Sequence, residues 1–343
     1  MNLFDLIIAG DLEAIKDNLK YEEINKLRDI KGRSLLFVAI INDKEEIAKY
    51  LLTQGLDPNI IDHSGESCLF DCVRKNKLAM AKLLISKGAS IDILNRKGES
   101  VLYYICYNGH IDILKKIRLE DIERFTTNEG LNLMHAAILG GHIEVVNYLL
   151  KYYKDLFLVD KMGNSYLHYA AKSGDSEIAK IFIDKKLDIN FFNHSFETPL
   201  FNAVKLGDLK MTKFLVNQGA YAVLKNKHFA TPLDIARIND LDNISSFFED
   251  YLNNPKVIQT LDDEQLIIAV LNRNYWDLRQ ILERTIDLDH KNKFGLTALD
   301  YAKKYKLQVV IDLIQKAQEA FEINNYRGAK KWYEIILHRF RDS

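Results

Sequence analysis

Cysteine, proline and net charge are all in short supply in this chain of 343 residues. The three cysteines, Cys68, Cys72 and Cys106, are too few for a disulfide framework and suit a reducing compartment. With only four prolines and 48% apolar residues, the chain reads as folded rather than as a disordered tail. Lysine and arginine number 47 against 48 aspartates and glutamates, so no global pull toward nucleic acid or a membrane surface exists. Electrostatic preference must come from local placement. No apolar run approaches the roughly 18 residues of a membrane span. The N-terminal stretch has no basic start and carries Asp5 inside its apolar run, so it does not read as a signal peptide. The expected setting is cytoplasmic, and the length allows two or three compact domains or one elongated array.

What the chain has instead is a period. Between Asn128 and Leu150, two short segments with apolar residues at helical spacing meet at Gly140-Gly141-His142. Asn132 stands where a helix N-cap belongs and Gly141 where the first helix must stop, which predicts two antiparallel helices with a tight connection. Such a pair cannot bury its apolar face alone. Its partners recur at a fixed interval: a marker four residues before a recurrent leucine falls at Gly32, Gly65, Gly98, Gly130, Gly163, Phe196, Phe229, Asp262 and Gly295. The steps are 33 residues, with a single step of 32 after Gly98. The leucine slot holds Leu36, Leu69, Leu102, Met134, Leu167, Leu200, Leu233, Leu266 and Leu299, and one step backwards places Leu3 in it. Ten units therefore share one register to about residue 317.

Two residues after the marker come Ser34, Ser67, Ser100, Asn132, Ser165, Thr198, Thr231 and Thr297, all N-cap residues. Pro199 and Pro232 follow directly, at the first helical position, where a missing N–H costs nothing. Asp43, Asn76, Gly109, Gly141, Gly174, Gly207 and Asp240 mark the stop between the two helices of a unit. Gly55–Asn59 and Gly88–Asp92 read as turns that close one unit before the next.

This pattern resembles the ankyrin repeat family, whose unit is a β-turn followed by two antiparallel helices. The family's Thr-Pro-Leu-His signature is best matched by Asn132-Leu133-Met134-His135, Ser165-Tyr166-Leu167-His168, Thr198-Pro199-Leu200-Phe201 and Thr231-Pro232-Leu233-Asp234. The resemblance covers about nine-tenths of the chain. It implies an all-α ankyrin-repeat solenoid of about ten helix-turn-helix units with β-turn connections and a C-terminal helical cap. The expected divisions are an N-terminal capping repeat over 1–28, repeats over 29–250, degenerate repeats over 251–317 and a helical extension over 318–343.

Two units depart from the pattern. The Gly98 unit is one residue short, and its second helix, expected over Ile111 to Arg118, runs into a charged segment. The Asp262 unit has lost both the glycine and the hydroxyl cap and follows Asn253-Asn254-Pro255. In a stack held by nearest-neighbour contacts, weak units are where cooperativity breaks, which predicts a bend near 119–128 and a softer joint near 250–265. Beyond residue 317, Phe321, Tyr326, Trp332, Ile335 and Ile336 suggest an apolar helical face that covers the last unit or docks a second partner.

Little in the chain suggests chemistry. The resemblance assigns His135 and His168 a bracing role at the turn, and Cys72 and Cys106 positions where the helices approach. His63, Cys68 and Cys72 lack the second Cys/His pair of a zinc site, so no metal is expected. Phosphate-loop, dinucleotide and nucleophile-elbow motifs are absent, so neither cofactor nor catalysis is expected.

The resemblance points instead to a concave binding face made of turn tips and the exposed side of each first helix. In the variable slots of the first seven marked units stand ten basic residues: Lys31, Arg33, Arg74, Lys75, Arg96, Lys97, Lys161, Lys172, Lys205 and Lys227. Only four are acidic, namely Glu66, Glu99, Glu129 and Glu197. Lysines at turn tips also serve solubility, so the imbalance has a plain explanation as well. The expected partner strip comprises Arg74, Lys75, Arg96, Lys97, Tyr104, Tyr107, Leu131, Leu139, Met162, Tyr169 and Lys172, an arginine-flanked aromatic set of the kind that anchors interfaces. Ten helix pairs about 10 Å apart make a surface about 100 Å long, ample for a standard interface of about 1,600 Å². The expectation is a monomeric, non-catalytic scaffold for a protein partner with an acidic surface or peptide. Degenerate arrays with extra terminal helices are similar to secreted effectors of intracellular bacteria, which implies a host protein as partner and secretion by a route that needs no signal peptide. The alternatives are an enzyme with a cryptic site on the repeats, or a weak binder of nucleic acid or anionic lipid using the basic strip and the tail. The neutral net charge speaks against the last.

Overall fold

The computed structural model describes residues 2–19, 24–117, 119, 122–282 and 287–322. Among them stand 21 α-helices, one 3-10 helix and three isolated β-bridges, with no strand. The chain divides into two compact units, Met1–His194 and Ser195–Ser343.

In the first unit, α1 (Leu3–Ala9) pairs with α2 (Leu12–Asn18), α3 (Leu35–Ile41) with α4 (Glu45–Thr53), and α5 (Cys68–Arg74) with α6 (Leu78–Ser86). Then α7 (Val101–Tyr107) pairs with α8 (Ile111–Leu114), α9 (Leu133–Leu139) with α10 (Ile143–Leu149), and α11 (Tyr166–Ser173) with α12 (Ser176–Asp184). The first helices of successive pairs pack side by side in chain order. Their shared core is the leucine slot, where Leu36, Leu69, Leu102, Met134 and Leu167 expose no surface. Each such burial is worth roughly 1.5–3 kcal/mol.

Most of the local signals act as the sequence indicates, although the Ser67 and Thr198 hydroxyls make no cap bond to their helices. Ser34, Ser100 and Asn132 accept the backbone N–H of Phe37, Tyr103 and His135, each at 3.2 Å. Between paired helices the chain turns through one left-handed residue, from Gly10 through Asp43, Asn76, Gly109, Gly141, Gly174, Gly207 and Asp240 to Arg273 and Lys306, with φ between 51° and 87°. Arg273 and Lys306 carry no sequence signal for this conformation, which strains a side chain with a Cβ.

The Gly98 unit corrects one expectation. Its second helix ends at Leu114, a single turn rather than a helix to residue 118. The unit closes its core instead with Ile113 and Leu114 of α8, and with Leu119, Ile122 and Phe125 around a 3-10 turn at Ile122–Arg124.

In the second unit, α13 (Pro199–Leu206) pairs with α14 (Leu209–Asn217) and α15 (Pro232–Ile238) with α16 (Asp242–Leu252). Next comes α17 (Pro255–Asp263), then α18 (Gln265–Leu271) with α19 (Tyr275–Leu282) and α20 (Ala298–Lys304) with α21 (Gln308–Glu322). The turn expected at Asp262 is replaced by α17, a helix started by Asn254, which accepts from Lys256 N–H at 2.9 Å, and by Pro255 at its first position. No side chain of α17 is buried. Polar side chains hold the register there. Glu264 accepts from the Tyr221 hydroxyl, and Asn292 donates to Tyr221 at 3.2 Å and to Tyr301 at 3.0 Å. The Asn272 amide oxygen accepts from Lys225 N–H at 2.9 Å. The apolar face expected from Phe321, Tyr326, Trp332, Ile335 and Ile336 lies outside the described side chains.

Candidate partner-binding surface

Each turn of the first unit is built around a polar side chain three residues before the marker. Asp29, Asp62, Asn95 and Asp160 each accept, through Oδ1, the N–H groups two and four residues further on, at 2.8–3.1 Å. Thr127 performs the task with Oγ1 for Leu131, at 3.0 Å. These side chains compete with the solvent for the turn's donors and lock its shape.

Successive turns are joined by one backbone hydrogen bond each. His63 donates to the Lys31 carbonyl at 2.9 Å, Arg96 to Ser64 at 3.1 Å, Asn128 to Lys97 at 2.8 Å, Lys161 to Glu129 at 3.0 Å and His194 to Met162 at 2.9 Å. The marker must be small where the next turn comes close. A Cβ on Gly98 would lie 2.8 Å from the Asn128 nitrogen, on a backbone with φ of 75°.

Arg96, Lys97 and Met162 stand exposed at these tips, and Leu131 is half-buried just beyond the Gly130 marker. Lys75 and Lys172 are exposed near the C-terminal ends of α5 and α11. Exposed Tyr107, half-buried Leu139 and Arg74 line a recess of about 450 Å³ together with Asn76, Asn108, His110, Gly140 and His142. Within it, Asn108 and His110 both donate to the Val73 carbonyl, at 3.0 and 3.1 Å.

Arg74 and Tyr104 come together, but among carboxylates. Both arms of the Arg74 guanidinium donate to Glu66, one also to Asp71, and the guanidinium lies 5.2 Å from the centre of the Tyr104 ring. The Tyr104 hydroxyl donates to Glu99 at 2.6 Å. Burial alone would lower the Arg74 pKa, but the Glu66 carboxylate overrides it and holds the charge more firmly. Burial, reinforced by the bond to Glu99, pushes the Tyr104 phenol well up. Tyr169 is only 9% exposed and its hydroxyl donates to Asp160 at 2.5 Å, so it braces a turn more than it offers contact area.

The basic excess is smaller than a count of slots suggests. Arg33 pairs with Asp29 at 2.5 Å and Lys205 with Glu197 at 2.5 Å, as Arg74 does with Glu66. Three of the ten basic residues are thus neutralised within their own repeats. Lys31, Lys75, Arg96, Lys97, Lys161 and Lys172 have no carboxylate within ion-pair distance among the described residues.

Sequence reasoning missed two features. The polar slot three before the marker recurs in register, so its signal was available. The second is an exposed apolar set four before the marker, Ile61, Leu94 and Val159, which the same register reveals once exposure is known.

His135 and the three cysteines are packed into the core. His135 Nδ1 accepts the Asn132 N–H at 3.1 Å, the ring packs against Tyr166 and Tyr169, and burial depresses its pKa to about 4. All three cysteines are buried, and burial pushes Cys72 up to about 12 and the other two thiols well above their usual range. Such thiols do not supply thiolates. Among the described residues no group of three His, Cys, Asp or Glu is placed to hold a metal ion, and no helix is long and apolar enough to cross a membrane.

Repeated helix pairs with preformed turn tips define a helical-repeat protein of the kind that binds other proteins. The family model for ankyrin repeats (3 copies) matches residues 3–95, 102–193, 133–226 and 167–254, and the chain belongs to the ankyrin repeat family. The matched stretches end where the turn gives way to α17. Comparison with curated proteins gives no match.

Proposed function

We propose that this chain is a non-catalytic scaffold that holds a partner protein on the tips and first helices of its first unit, and that the partner presents an acidic surface there. The observation that carries the reading is the set Lys31, Arg96, Lys97 and Lys161, exposed on alternate tips (those of Gly32, Gly98 and Gly163) and outside ion-pair reach of any carboxylate among the described residues. Tips joined by backbone hydrogen bonds hold these charges at fixed spacing, which lowers the ordering cost of association. Following the effector resemblance, the partner is a host protein.

The test compares proteins captured by the wild-type chain and by an Arg96→Glu/Lys97→Glu variant, at low and at physiological salt. Arg74 is left intact because its charge serves the fold. The reading expects a discrete set of proteins lost by the variant at unchanged thermal midpoint, and weaker capture by wild type as salt rises. The same proteins held equally by both chains would overturn it.

A further inference from the structure

Four residues before the marker, successive turns of the first unit carry Arg28, Ile61, Leu94, Thr126, Val159 and Phe192. Ile61, Leu94 and Val159 are 49%, 48% and 41% exposed, while Phe192 is buried and ends the row. A β-bridge to Ser67, Ser100 or Ser165 fixes the backbone at each of these three positions. Hydrogen bonds between tips fix one turn against the next. The row is therefore preformed, and covering its aliphatic side chains is favourable without a large ordering cost.

Packed helix pairs sit about 8–10 Å apart, so the row offers one apolar group about every 8–10 Å, interrupted by Thr126. It is one residue wide at Ile61 and Leu94 and broadens at Val159, where Phe157 two residues earlier is 69% exposed; Arg96, Lys97 and Lys161 flank it on the tip side. A β-strand places same-face side chains roughly 6.7 Å apart, and every third residue points to the opposite face. An amphipathic helix presents a stripe more than one residue wide, which a single file does not fill. Polyproline II has three residues per turn and rises about 3.1 Å per residue, so every third side chain shares a face at about 9.3 Å. Of the three, that backbone fits the spacing of the row and its single-residue width at Ile61 and Leu94.

We propose that the bound segment of the partner is an extended, polyproline-II-like stretch of about ten residues, apolar opposite Ile61, Leu94 and Val159, small and polar opposite Thr126, with carboxylates between that face Arg96, Lys97 and Lys161. This deepens the scaffold reading and rests on it. The partner is recognised by periodicity as well as by charge.

The probes are fluorescein-labelled LPDLPESPDL, its reverse LDPSEPLDPL, and the period-two permutation LPLPLEDSPD, titrated by anisotropy with the full chain. One direction of the period-three peptide should bind, the permutation about tenfold more weakly. Leu94→Ser should weaken the period-three peptide about five-fold, the loss of a partly buried leucine, at unchanged thermal midpoint. Equal binding of the permutation, indifference to Leu94→Ser, or no binding in either direction would overturn the proposal, as would tighter binding of a helical peptide with leucine every seventh residue. If the peptides fail while Arg96→Glu/Lys97→Glu still loses its captured proteins, the scaffold stands and the periodicity falls. If capture is also indifferent, both fall.

Discussion

Glu66 grips the guanidinium of Arg74 from eight residues away, across the turn and the first helix, and the pair leans on the Tyr104 ring of the next helix pair. The Glu66 side chain is 10% exposed and that of Arg74 is 34% exposed, so the carboxylate is the more dependent partner. Arg74→Ala leaves that carboxylate nearly dehydrated without its counter-charge and should cost about 1–2 kcal/mol in urea unfolding. The double variant Arg74→Ala/Glu66→Gln should recover part of the loss. Equal stability of the single variant and wild type would show that the pair does not hold the turn.

Gly140 closes α9 against the end of α7. A Cβ there would lie 2.0 Å from the Tyr107 carbonyl oxygen, a backbone atom that cannot step aside. Gly140→Ala should therefore destabilise the first unit by about 1–3 kcal/mol despite alanine's better helix propensity. Chemical denaturation measures this directly.

Phe229 carries the opposite expectation. Its φ is 60° and its ring is 82% exposed, so it strains the backbone while burying little. Phe229→Gly should stabilise the second unit by about 0.5–1 kcal/mol, the steric relief exceeding glycine's extra entropy in the unfolded chain. A lowered thermal midpoint would contradict this.

His135 should make the fold acid-sensitive. Its ring is neutral in folded and unfolded chains above pH 6.5, the ordinary value, whereas burial lowers the folded pKa to about 4. As pH falls through that window only the unfolded chain gains the proton, so stability is lost progressively, by on the order of 3 kcal/mol. A His135→Gln variant should show a flatter stability profile between pH 6.5 and 4.

The thiols should be silent in the native state. Cys68, Cys72 and Cys106 are buried with raised pKa values, so a disulfide reagent at pH about 8 should label none until denaturant is added, and then all three. Labelling should follow the unfolding curve.

What the sequence reveals here is local chemistry repeated in register. A cap such as Asn132, a stop such as Gly141 and a core leucine such as Leu69 each act within a few residues of themselves, so the pattern and the structure agree. The pairing of Glu66 with Arg74 depends on how a turn folds back on its helix, and linear slots count both as surface charges. Tyr169 sits in a surface slot, yet its hydroxyl is drawn down to Asp160. The helix at Pro255–Asp263 was legible only as a missing glycine, because an absent signal does not say what takes its place. Arg273 and Lys306 adopt the inter-helix conformation without a residue that favours it, imposed by the packing of the helices on either side.

The hydrogen bonds between neighbouring tips of the first unit have one further consequence. Each spans 31 or 32 residues of chain, whichever turn it leaves. The loop that must close to form one is the same size however many pairs precede it, so lengthening the array adds binding surface without making any single contact harder to find. Growth by duplication of a whole period would leave every rung able to re-form with its new neighbour.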